Sequence, residues 1–124
     1  MYRMFIDDIR NPPPGDWVVV RSSSEALEYI QTNGMPEFIS FDHDLGGDDT
    51  TMVFLRSLVK SLWDGTNNIP DYTVHSANPV GSKNIVSFME SWKKALLIAA
   101  GLWLLLVIVL ALDQFSWDWL SIGT

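Results

Sequence analysis

The run ALLIAAGLWLLLVIVLAL, residues 95–112, carries no charge and constrains the chain more than any other feature. As a helix it spans about 27 Å, close to the hydrocarbon core of a thin bilayer. Being apolar on every side, it has no face to offer water in so small a protein. We read it as a transmembrane helix. Trp92, Phe115, Trp117 and Trp119 flank it as interfacial anchors, while Lys93 and Lys94 lie only on its N-terminal side. That bias predicts a cytoplasmic domain anchored to the inner or plasma membrane, with the C-terminus outside. The competing readings are a buried terminal helix, a fifth strand formed by ALLIAAG, or a fusion. The boundaries that follow are a folded domain over residues 1–94, the span over 95–112 and a short tail over 113–124.

The remaining length suits one small domain. With no cysteine, the chain has no disulfide, no thiolate zinc site and no cysteine nucleophile. Its formal net charge of -7 repels a phosphate backbone, so no extended nucleic-acid surface is expected. Small phosphorylated ligands held through a cation stay compatible with that charge. MYRMFIDDIR lacks the apolar core of a secretory signal. Oligomeric state is not legible.

Within residues 1–94, short apolar runs alternate with helical periodicity. YRMFI (2–6), WVVV (17–20), FISF (38–41) and YTV (72–74) read as strands. Ser22 followed by Glu25 forms a capping-box pattern for a helix with Ala26, Leu27 and Ile30 on its apolar face, ended by Asn33 and Gly34. Val53, Phe54, Leu58, Val59 and Leu62 recur at helical spacing before a break from Gly65 to Pro70, and Ile85, Phe88, Met89 and Trp92 mark a third helix. Alternating strands and helices favour a parallel sheet of about four strands covered on both faces. The connection NPPPGD is short for a parallel crossover. Either it crosses extended or the second strand is antiparallel.

Ligands in such sheets gather at the carboxyl ends of the strands, where Asp7, Asp8, Asp42 and Ser76 all fall. Carboxylates brought together raise one another's pKa unless something positive neutralises them, and oxygen donors of this kind suit Mg²⁺ or Mn²⁺. Asp48 and Asp49 read as loop and cap chemistry.

The acidic pair after strand one, the aspartate ending strand three and the Ser-Ala pair after the next strand resemble the response-regulator receiver, a flavodoxin-like fold. The resemblance implies that Asp7, Asp8 and Asp42 hold the metal with the backbone carbonyl of Asp44, that Asp42 is a phosphoryl acceptor, and that Ser76 contacts phosphate. The helix between the first two strands and the lysine ending strand five are missing, which sets the chain apart from ordinary phosphorelay receivers. FIDDIRNPP, FDHDLGG and VHSANPVG are more closely similar to the cyclic-phosphate processing receiver domain, over about residues 2–94. That resemblance implies processing of cyclic phosphate ends or cyclic nucleotides.

Hydrolysis of a cyclic phosphate needs a deprotonated water and a protonated leaving oxygen, for which His75 and His43 are the available imidazoles. Each has an alternative as a hydrogen-bonded structural histidine. Asn78 and Lys83 stand at a helix start, where phosphate is favourably placed, or serve as turn and cap residues. The expected function is a metal-dependent phosphoesterase. The alternatives are a noncatalytic module binding a phosphorylated ligand or partner, and acyl-phosphate signalling at Asp42.

Overall fold

A computed structural model describes residues 1–61 and 68–122, with side chains described through Asp113. Leu62 and Gly65 lie outside the described residues, as do the side chains of Phe115, Trp117 and Trp119. The elements are β1 (Arg3–Ile6), β2 (Val18–Val20), α1 (Ser23–Asn33), β3 (Phe38–Phe41), α2 (Thr51–Ser61), β4 (Asp71–Val74) and α3 (Pro79–Ile122). The four strands form one sheet in the order β2-β1-β3-β4, and every pairing is parallel. This is the receiver-like α/β architecture expected. The chain divides into two compact units, Met1–Met89 and Glu90–Thr124.

Strand alternation assigns the two faces of the sheet. The register sets Met4 opposite Ile39 and Ile6 opposite Phe41, and all four are fully buried. They belong to the core that also holds Ala26 and Ile30 of α1 and Phe54, Leu55 and Leu58 of α2. Phe41 and Phe54 meet with ring centroids 6.5 Å apart.

On the other face Phe5 lies opposite Ser40. Because β2 is parallel to β1, residues 7–17 make the crossover without a helix. Their last residue supplies the cover: Trp17 meets Phe5 and Phe38 edge-on at 6.0 and 6.1 Å, and the Arg3 guanidinium lies 4.3 Å over its ring. One indole stands where a full crossover would place a helix.

Helix α1 begins as its sequence requires. Ser22 has extended backbone and its side chain accepts from the Glu25 N–H at 3.1 Å. Glu25 reaches back to the N–H of Arg21 at 3.0 Å, one residue further than a capping box predicts. Asp49 adds a long-range cap, accepting from the N–H of Ser23 at 2.8 Å and from its hydroxyl at 2.5 Å. The cap fixes the β3–α2 loop to α1.

In the second unit ALLIAAG is helical, which removes the fifth-strand reading. The stretch Pro79–Asp113 is long and apolar enough to cross a membrane, and the side chains of its most apolar window are unburied.

Candidate metal and phosphate site

The sheet ladder continues one residue past its strands. Asp7 N–H donates to the Val20 carbonyl at 3.2 Å, Asp42 N–H to Ile6 at 2.9 Å and His75 N–H to Phe41 at 2.9 Å. Asp7, Asp42 and His75 therefore stand side by side on the carboxyl edge. The chain leaves β1 toward β2 on one side and β3 toward β4 on the other, so a crevice opens between them at the switch point.

Asp7, Asp8 and Asp42 each bring a carboxylate oxygen there, all within 4.8 Å of one another. Asp7 is fully buried. Its Oδ1 accepts from the N–H groups of Ile9 and Arg10 at 2.9 and 2.8 Å, and its Oδ2 faces His75 Nε2 at 2.9 Å. Burial alone would raise its pKa, but the N–H groups of Arg10 and Ile9 and the His75 ring outweigh it and hold the carboxyl below its ordinary value. Asp42 Oδ1 accepts from the His43 N–H at 2.8 Å, and the Asp42 carbonyl accepts the Thr51 hydroxyl.

The donor set fits a hard divalent cation. Among the described residues, neither the Asp8 carboxylate nor Asp42 Oδ2 takes part in a hydrogen bond, which leaves both open as ligands. Gly46, at φ +92, approaches Asp8 closely: a Cβ there would lie 3.4 Å from Oδ2. A side chain at 46 is strained by that backbone.

The acids line a cleft of about 500 Å³ together with Arg10, Asp44, Ser76 and Asn78. Arg10 is the one cationic side chain on its wall among the described residues. Its Nη1 donates to the His75 carbonyl at 2.9 Å, and among the described residues the guanidinium makes no other hydrogen bond. Arg21 secures the same loop by donating to the carbonyls of Asp7 and Arg10.

Both histidines lie behind this wall. His75 stacks on Phe5 with centroids 4.6 Å apart and planes 6° from parallel. Its Nδ1 is 2.7 Å from the Ser40 hydroxyl. A carboxylate only accepts, so in the neutral ring the hydrogen belongs on Nε2, facing Asp7, and Nδ1 accepts from Ser40. His75 and Ser76 follow the last residue of β4 and diverge, the ring packing inward and the hydroxyl lining the cleft.

His43 turns away from the acids. Its Nδ1 pairs with Asp44 Oδ1 at 3.0 Å, and only 13 % of the side chain is exposed. That bond, with a second from Asn78 Nδ2 at 3.3 Å, holds the Asp44 carboxyl below its ordinary value. Asn78 also caps α3, its Oδ1 accepting from the Gly81 N–H at 3.0 Å, while its own N–H donates to Ser76 Oγ at 3.1 Å. Lys83 is exposed and, among the described residues, does not line the cleft.

Asp7, Asp8, Asp42, Asp44, Ser76 and Asn78 are thus brought together, while His43, His75 and Lys83 stand outside the cleft wall. The family model for the cyclic-phosphate processing receiver domain matches residues 2–91. The chain belongs to this family. No curated protein and no solved structure matches it. The match includes all three motifs and ends in α3, before the apolar run.

Three contributors to this cyclic-phosphate processing receiver site escaped the sequence reading. Arg10 sits inside the FIDDIR motif, two residues past the acids, and its nearness to them was the available signal. Ser40 had one as well, because a lone hydroxyl in a buried strand needs a partner. Arg21 had none, since its shorter bonds go to the backbone carbonyls of Asp7 and Arg10.

Proposed function

We propose that this receiver variant is a metal-dependent phosphoesterase that opens cyclic phosphates on small nucleotides or nucleic-acid ends. The observation carrying the reading is the convergence of Asp7, Asp8 and Asp42 at the switch point, on the wall of a cleft that also presents Arg10. The three carboxylates would hold Mg²⁺ or Mn²⁺, with the Asp44 carbonyl as a further ligand by family likeness. When bound, the cation supplies polarisation of the phosphoryl group and acidifies water.

The chain's own groups then divide the work. Arg10, fixed at Nη1 by the His75 carbonyl, keeps Nε and Nη2 for phosphoryl oxygens in the fork geometry that suits them. Ser76 offers its hydroxyl hydrogen to the same anion, its oxygen already accepting from Asn78. His75 orients Asp7 and adds to the N–H bonds of Arg10 and Ile9 that keep it ionised.

Full-length protein incubated with nucleoside cyclic phosphates and Mg²⁺ should release linear phosphomonoester. Asp42→Asn should abolish turnover, and Arg10→Ala should weaken substrate binding. Equal turnover by wild type and Asp42→Asn would defeat the reading.

One observation favours a second reading, a module that binds a phosphorylated ligand without turning it over: both imidazoles are engaged behind the cleft wall. Tight binding of the cyclic phosphate with no product identifies that case. Acyl-phosphate signalling at Asp42 has less support, because no lysine lines the cleft among the described residues. We further propose that the apolar helix anchors the domain to a membrane on its cytoplasmic face, a reading supported by its length and its unburied apolar side chains.

A further inference from the structure

Gly81 lies in the first turn of α3 and meets the imidazole of His43 with bare backbone. A Cβ at this position would stand 2.7 Å from the ring's Nδ1 and Cδ2, where ordinary contacts begin near 3.4 Å. The ring has little freedom to retreat. Its Nδ1 is held by Asp44, the residue's N–H by Asp42 Oδ1, and its carbonyl by the Thr51 N–H at 2.9 Å. The connections close on themselves: Asp44 accepts from the Asn78 amide, and Asn78 accepts from the Gly81 N–H.

We infer that Gly81 is a positioning residue: with the flat ring of His43 it forms a steric latch that sets Asp42 and Asp44 against the first turn of α3. His43 then serves as a spacer for the loop that carries the candidate ligands. The absence of a side chain at 81 follows from the closeness of ring and backbone, a demand glycine alone meets. The inference rests on the metal reading above, because the property it protects is the geometry of the acidic loop.

The test uses the full chain in mild detergent, with two readouts. His43 ring resonances are recorded in metal-free protein, and Mn²⁺ is titrated by its electron paramagnetic resonance signal. Gly81→Ala should displace the ring resonances and weaken Mn²⁺ binding on the order of tenfold, the scale of losing an outer-shell support. His43→Ala, which removes the spacer, should also weaken binding, and adding Gly81→Ala to it should cause no further loss, because the new methyl then meets no ring. Unmoved resonances in Gly81→Ala, or a double variant that binds Mn²⁺ more weakly than His43→Ala alone, overturns the latch. Wild type and Gly81→Ala holding Mn²⁺ equally well overturns the latch and leaves the metal reading standing. Wild type that takes up no Mn²⁺ overturns both.

Discussion

Ser40 shows how much one hydroxyl carries here. It faces Phe5 across the β1–β3 pairing and gives His75 Nδ1 its hydrogen, which leaves Nε2 to steady Asp7. Ser40→Ala strands a part-buried acceptor and should cost about 1–3 kcal/mol of stability by denaturant unfolding. Unchanged stability would mean that His75 finds another donor. Tyr2 offers a second test. Burial, and then the neighbouring Tyr29, push its phenol up to about 12, and its hydroxyl donates to the Gly34 carbonyl at 2.6 Å. The folded pKa lies above the unfolded one, so this contribution to stability is intact below pH 10 and is lost as the pH rises through about 12. In an absorbance titration of phenolate formation, Tyr2→Phe should remove the late-titrating component. A Tyr2→Phe curve of unchanged shape contradicts the assignment. Asp7, Asp8 and Asp42 were legible in the sequence because acids stood at the ends of apolar runs. The orientation of His75 was not, since Asp7, Ser40 and Phe5 come from other strands, and that of His43 was not, since its ring also packs against Gly81 of α3.

Among the elements, the β1–β2 connection departs furthest from a complete receiver. Parallel pairing was left open in the sequence, because NPPPGD is short for a crossover. The chain solves the problem by crossing over residues 7–17 without a helix and letting Trp17 seal the sheet over Phe5 and Phe38. Trp17→Ala should therefore cost about 2–3 kcal/mol, somewhat below a fully buried tryptophan, because the indole is only half-buried. Thermal unfolding checks it, and a loss under about 1 kcal/mol would show that the seal lies elsewhere. Strands and helices were readable because short apolar runs and helical spacing alternate cleanly. The long-range cap of α1 by Asp49 was not, since nothing local joins a loop aspartate to a helix 26 positions earlier.

At the scale of the molecule, the apolar run and the acidic cleft make separate demands. Full-length protein should partition into the membrane fraction and resist extraction by salt and alkali, whereas a chain ending before residue 95 should be soluble. Recovery of the full chain from detergent-free supernatant as a monomer would contradict the anchor. The composition break after Lys94 made the two regions visible, because charge vanishes over a length that matches a bilayer. Helical structure continues from Pro79 to Ile122, through that break, and backbone geometry alone does not mark it.

His75 reaches Asp7 across 68 positions of sequence. During synthesis the acids at 7 and 8 are made well before their partner, which arrives only after β4. The cleft is therefore among the last features of this unit to assemble, and a nascent chain cut short before residue 75 carries the acids without the group that steadies them. Loop closure of this length slows folding, so the docking of β4 sets when the contact between His75 and Asp7 first forms.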